Sequence, residues 1–343
     1  MTDLTELLSV YHAKRSYAIK TTGRLERLLE SLPNPTTQCP ITISLIGAKK
    51  KEDALSQMLL LGEQTSTRNP KAFNNLHVDP LTHATTWPTL LLTLGLFLSD
   101  SNLVKTLYPQ NAYEIQWQVR TRRILRDLLF SRLFFLFTDI IVLFATDFGG
   151  FENVVDCLQV WSALTIRSDL PHALHPYVLI VTHEEDNPSP TAQLLEQEIL
   201  DTQMHGVKNA FSGVEVVQLH GIARYSEQQN EPLRARLKSL VRRRRRARQQ
   251  HRYLLPTTHL AFLFDRAIRH FAINETLPFS YIIEYRVQRP ISPDLPLNLI
   301  HFLSICKKLK APYELIVQYL AAILLKDHYV PGSHGELART LED

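Results

Sequence analysis

Ile41-Thr42-Ile43-Ser44-Leu45-Ile46-Gly47 is the stretch on which the fold turns. Its apolar, partly β-branched run is the pattern of a strand buried on both faces. The chain then passes Ala48-Lys49-Lys50-Lys51 into a helical pattern from Glu52 to Leu61. Strand, glycine and helix together frame a phosphate-binding loop, which would read G-x-x-x-x-G-K-[ST]. Counted from Gly47, the last three positions hold Glu52, Asp53 and Ala54. The glycine that lets backbone approach a phosphate is a carboxylate. The lysine is a second carboxylate, and the hydroxyl that would hold Mg²⁺ is a methyl group. Two negative charges at these places repel a polyphosphate. The frame of a nucleotide site is present and its chemistry is damaged.

Outward from this stretch, four more runs have strand length: 89–97, 138–146, 177–182 and 214–219. Helical patterns alternate with them. One spans about 111–130, with Ile115, Val119, Ile124, Leu125 and Leu128 on its apolar face. Others are Glu152–Leu164, with Val155, Leu158 and Trp161, and Thr191–His205. Strands alternating with helices predict right-handed crossovers and one mainly parallel sheet, with 41–47 central. Residues 63–79 read as polar and irregular. Residues 1–31 carry apolar positions at helical spacing: Leu4, Leu7, Leu8, Tyr11, Leu25, Leu28 and Leu29. After residue 225 helical periodicity takes over, at 231–252, 257–275, 295–310 and 312–327. The expected organisation is an N-terminal helical segment (1–37), an α/β domain (38–225), a helical region (226–330) and a loose tail (331–343).

Composition limits the function classes. Apolar residues make up 45% and charged residues 21% of 343, ordinary values for a globular protein. A net charge of +4 gives no global polyelectrolyte character. Cys39, Cys157 and Cys306 lie far apart, without metal spacing, and suggest buried thiols in a reducing compartment. Met1-Thr-Asp-Leu-Thr-Glu6 lacks the basic and apolar regions of a signal peptide. Leu133–Ala145, the most apolar run, contains Asp139 and is shorter than the roughly 20 residues of a membrane-spanning helix. The expectation is an intracellular protein, cytoplasmic or nuclear, without a transmembrane segment.

The order of parts resembles the P-loop GTPase superfamily: glycine-ended first strand, helix, polar switch-like loop, then strands alternating with helices. More narrowly, it resembles the GTPase-like region that precedes the lipase domain in large fungal patatin-like phospholipase proteins. Three features carry this. Val78-Asp79-Pro80 precedes Pro88 and its apolar strand. Leu136-Phe-Thr-Asp-Ile-Ile-Val-Leu143 is followed one helix later by Trp161. Pro176-Tyr-Val-Leu-Ile-Val181 is the third. The likeness covers roughly 38–225, and more loosely extends to 330. It implies a P-loop NTPase-like fold and a nucleotide site built around Gly47, Gly95, Thr182 and Glu185. The family's Asp-x-x-Gly at a strand end reads Leu92-Thr93-Leu94-Gly95 here, a glycine without its aspartate. The base-recognition motif would begin at Thr182 and reads Thr182-His183-Glu184-Glu185, with Asp186 one place late. A literal Asp-x-x-Gly, Asp147-Phe148-Gly149-Gly150, follows the next strand, where the family has a variable loop. It is either a metal-linked motif or a strand end closed by a Gly-Gly turn. No Gly-x-Ser-x-Gly elbow occurs, so the lipase part is absent.

Lys49, Lys50 and Lys51 offer ammonium groups to a phosphate, or form a solvated basic loop. Arg242, Arg243, Arg244, Arg245 and Arg246 form a run of five. On a helix they point in every direction, so some stems must lie over apolar surface. The run serves an acidic protein partner, an anionic membrane or nucleic acid, or it is simply solvated. Histidines are scattered, and no catalytic or metal-binding spacing is found. The sequence therefore predicts a pseudo-GTPase-like interaction or regulatory module without a cofactor. The alternatives are a divergent protein that binds GTP or ATP with Mg²⁺, and a basic adaptor for membrane or nucleic acid.

Overall fold

The computed structural model describes residues 6–13, 16–58, 74–98, 103–104, 112–166, 168–183, 206–219, 231–251, 253–288 and 293–328. The chain forms two compact units. One comprises Met1–Ala247 with Pro256–Phe279, the other Arg248–Leu255 with Ser280–Asp343.

In chain order, the first unit contains β1 (Leu8–Ala13), β2 (Ser16–Thr21), α1 (Arg24–Glu30), β3 (Ile41–Gly47), α2 (Lys49–Met58), β4 (Asn74–Val78) and β5 (Thr89–Gly95). It continues with β6 (Leu103–Val104), β7 (Tyr113–Glu114), α3 (Arg122–Arg132), β8 (Ile140–Phe144), α4 (Ala145–Phe148), α5 (Phe151–Leu164) and β9 (Tyr177–His183). Then come α6 (Val207–Ala210), β10 (Gly213–Leu219), α7 (Glu231–Gln250), whose last residues belong to the second unit, and α8 (Thr257–Ile273). The second unit holds α9 (Tyr281–Gln288), α10 (Leu295–Lys308) and α11 (Tyr313–His328).

Six strands make the main sheet, in the order β10-β9-β8-β3-β5-β4. All neighbours pair in parallel except β4, which runs antiparallel to β5 at the edge. The expected mainly parallel sheet with a central 41–47 strand is therefore present. Every residue of β3, β8 and β9 is buried, as strands covered by helices on both faces must be. On one face Ile41, Ile43 and Leu45 join Ile140, Val142, Leu179 and Val181, and meet Leu55 of α2 and Leu233, Leu237 and Leu240 of α7. The helices α7 and α8 thus fold with the α/β unit, which does not end at residue 225.

Several elements differ from expectation. Residues 8–13 and 16–21, read as helical, form an antiparallel strand pair within a second sheet, β6-β1-β2-β7. The reason is tertiary. Oδ1 of buried Asn74 accepts the N–H groups of Leu7 and Leu8 at 2.9 and 2.8 Å, and its amide donates to Leu8 O at 3.0 Å. Leu25, Leu28 and Leu29 are helical and buried as expected, in α1. Within the segment read as irregular, residues 74–78 form edge strand β4, while 63–73 lie outside the described residues. The helix expected over 111–130 begins only at Arg122, where the Thr121 hydroxyl caps it by accepting from Ile124 N at 3.2 Å. Upstream, Ile115 N and Gln116 N donate instead to Tyr17 O and Ala272 O, both at 2.8 Å, which holds that segment extended. Strand β8 stops at Phe144, and the next four residues turn into α4. The helix expected at 191–205 and the tail from 331 lie outside the described residues. Among the described residues no helix is long and apolar enough to cross a membrane.

Candidate functional site

The chain leaves β3 to build β4 and β5 on one side, then β8, β9 and β10 on the other. In an open α/β sheet the crevice for ligands lies at the carboxyl ends of the strands where this direction changes. Here that place is the end of β3. Only Ala48 separates Gly47 from the first residue of α2, so there is no long loop to wrap a ligand.

The N-terminus of α2 is nevertheless occupied. Oδ2 of Asp147 accepts Ala48 N at 2.7 Å and Lys51 N at 3.0 Å, and Oδ1 accepts Lys50 N at 3.0 Å. The first N–H groups of a helix have no partner within the helix, and its dipole favours negative charge there. A phosphate or other anion is the usual external ligand for such a place. In this chain the anion is a side chain from α4, on the neighbouring strand connection.

Gly47 makes this approach possible. A Cβ at residue 47 would lie 2.5 Å from Asp147 Oδ2 and 3.1 Å from Lys51 Cβ. Its backbone φ is ordinary, so space, not conformation, is what requires glycine. Gly149 and Gly150 do need conformational freedom, with φ of 83° and 134°. Their N–H groups donate to Thr146 O and Ala145 O at 3.1 and 2.9 Å. This closes α4 directly after the aspartate and sends the chain into α5. The motif Asp147-Phe-Gly-Gly150 is therefore more than the Gly-Gly turn at a strand end that one sequence alternative supposed.

The remaining site residues fall as follows. Gly47 and Gly95 are in register on β3 and β5, at the same sheet edge as Asp147. Lys49, Lys50 and Lys51 form the first turn of α2, not a loop, because the helix begins at Lys49. Lys51 is buried, with Nζ donating to Leu94 O at 3.3 Å and paired with Glu52 at 3.2 Å. It is not available to a ligand, while Lys49 is exposed. Thr182 is buried near the carboxyl end of β9, and next to it the His183 ring nitrogen lies 3.3 Å from the Thr146 hydroxyl. Glu185 lies outside the described residues. Gly47, Gly95 and Asp147 thus come together although they are distant in sequence.

Beside Asp147 opens a cleft of about 620 Å³ between the residues that follow β5 and helices α3, α4 and α5. One wall is a fixed polar frame. Arg126 donates to Asp127 Oδ1 from Nε at 2.9 Å and from Nη2 at 2.5 Å, and Nη1 donates to Leu96 O. The same Asp127 oxygen accepts the Trp161 indole N–H at 3.1 Å. At the cleft, burial pushes the Cys157 thiol pKa up, with Arg126 and Arg123 pulling it down and Asp127 and Asp156 adding to the rise.

The arginine run lies at the opposite, amino-terminal edge of the sheet. Arg244 is buried, donating from Nη1 to Ala173 O at 2.7 Å and Ser212 Oγ at 3.0 Å, and from Nη2 to His175 O at 2.8 Å. Arg245 donates to Trp87 O at 2.7 Å, and Arg243 stacks over the Tyr177 ring at 5.0 Å. Of the run named as a partner-binding site, Arg244 and Arg245 are corrected: they clamp α7 to the strand starts. Buried backbone carbonyls there need donors, and a planar guanidinium reaches several at once. Arg242 and Arg246 remain exposed.

Asp147 and Arg244 are the two residues whose roles sequence reasoning missed. The literal Asp-x-x-Gly was a signal for the first. The impossibility of exposing five consecutive helical residues was a signal for the second. Among the described residues no group of three or more His, Cys, Asp or Glu is placed to hold a metal ion. No protein-family model matches this chain, and no curated protein matches it.

Proposed function

We propose that this chain is a pseudo-GTPase-like interaction or regulatory module, a P-loop-type α/β frame that no longer takes nucleotide. The observation that carries this reading is the Asp147 carboxylate on the N–H groups of Ala48, Lys50 and Lys51. A polyphosphate entering here must displace an anion already bound to those donors. Each charge-assisted hydrogen bond so lost is worth about 1.5–3 kcal/mol. The incoming phosphates would also meet Glu52 and Asp53 where the P-loop pattern has glycine and lysine. The central glycine-ended strand and the helix directly after it support the kinship implied by the order of parts. Titration of fluorescent GTP and ATP analogues, with and without Mg²⁺, tests the proposal. Absence of saturable binding is expected, and Mg²⁺-dependent micromolar binding would overturn it.

A second reading has its own observation. Lys238, Arg242 and Arg246 are exposed at i, i+4 and i+8 on α7, and among the described residues none is ion-paired. Like charges at this spacing repel one another. Such a stripe fits an anionic surface, and its attraction would fall with salt.

A further inference from the structure

We infer that the cleft beside Asp147 is a docking site for a short segment of a partner protein, one that carries an acidic and a basic side chain around an apolar one. The inference deepens the interaction-module reading and rests on it.

The cleft volume of about 620 Å³ falls in the range of sites that enclose drug-sized ligands. Its charged lining is of two kinds. Arg126 and Asp147 are fully engaged within the protein, by Asp127 and Leu96 O in one case and by the α2 N–H groups in the other. Arg123 on α3 and Asp156 on α5 are exposed, and among the described residues neither is ion-paired. Among the described residues the cleft therefore offers one cation and one anion without an ion-pair partner, from two different helices. Leu96, Phe97 and Phe148 add apolar surface to the same lining, and Asn153 a polar side chain. Phe97 is 72% exposed, so its ring presents apolar surface at the cleft.

This lining selects among ligand classes. A nucleotide or other polyanion gains one cation and meets Asp156. A purely apolar ligand would leave both charges without partners. A dipolar ligand with an apolar centre satisfies both charges and covers Phe97. Arginine is also among the residues enriched in binding hot spots. The Arg126–Asp127–Trp161 frame holds α3 against α5, so the walls are preformed and little ordering is needed on binding. The unpaired charges disfavour any segment of the wrong polarity.

Cys157 lines the cleft and reports its occupancy. Acetylated and amidated tripeptides Asp-Phe-Lys, Lys-Phe-Asp and neutral Asn-Phe-Gln serve as probes. The readout is the rate of Cys157 alkylation by N-ethylmaleimide, assigned by peptide mass mapping so that Cys39 and Cys306 do not interfere. At least one charged tripeptide should slow alkylation, with an affinity advantage of about fivefold per charged contact over the neutral one. Arg123→Glu or Asp156→Lys alone should abolish the advantage. The double variant should restore it with the preferred order of the two charged tripeptides reversed. Both residues are exposed, so the variants should keep the parental circular dichroism and melting temperature. Equal protection by the neutral tripeptide, protection by benzoate alone, or none by any charged tripeptide would overturn the inference. No nucleotide enters this experiment, so its failure is separate from a failure of the nucleotide titration.

Discussion

A methyl group on Gly47 would lie 2.5 Å from Oδ2 of Asp147. The bare backbone of one residue and the carboxylate of the other are thus a matched pair. The first makes room, and the second fills the helix end where an external anion would sit.

The pairing predicts coupled stability. Gly47→Ala should destabilise the protein by about 1–3 kcal/mol through overpacking. Asp147→Ala should remove an N-terminal cap from α2, at about 0.5–2 kcal/mol. In the double variant the alanine at 47 no longer meets a carboxylate, so the two losses should not add. Urea unfolding of the four proteins measures this cycle, and strict additivity would show that the contact is unimportant.

Members of the arginine run should separate by role. Arg244→Gln takes the guanidinium from the buried His175 carbonyl and from Ala173 O, and should cost about 1–3 kcal/mol. Arg242→Gln and Arg246→Gln change exposed positions and should leave the melting temperature within about 0.5 kcal/mol equivalent of the parent. If the α7 stripe meets an anionic surface, the same two changes should weaken binding to phosphatidylserine vesicles and flatten its salt dependence. Vesicle binding that persists unchanged in the double Gln variant would remove the stripe from consideration.

The Cys157 thiol gives a pH prediction. Burial raises its pKa, so near neutral pH it holds less thiolate than a free cysteine. Its alkylation should be slower than that of a model thiol, and should keep rising with pH after the model thiol has levelled off. The sign for stability follows. The folded state keeps this proton longer than the unfolded one. The contribution is therefore fully present below the unfolded thiol's pKa and is lost as pH rises through the folded value. Cys157→Ser should make the alkaline fall in stability shallower, and an unchanged alkaline profile would contradict this.

The main sheet was legible because its inner strands are continuous apolar runs, and β3, β8 and β9 are buried throughout. Strand β4 was not. It is short, begins Asn74-Asn75, and lies at an edge, where its partners are set by tertiary contacts. The same asparagine hides the β1–β2 pair, because its side chain holds Leu7 and Leu8, two residues at helical spacing, at the start of β1. At the site, Gly47 and Gly95 could be read from their strand ends. The role of Asp147 could not, because its partners at 48, 50 and 51 are 96–99 residues away and no local spacing encodes them. A count of strands argued against the motif that contains it.

The most direct test observes the helix end itself. Amide proton–nitrogen spectra of the isotope-labelled protein, with Ala48, Lys50 and Lys51 assigned, should be recorded through a titration with GTP and Mg²⁺. With Asp147 holding those three N–H groups, their resonances should not move. Saturable shifts of the same three amides at micromolar nucleotide would mean that phosphate displaces the carboxylate, and would contradict the account.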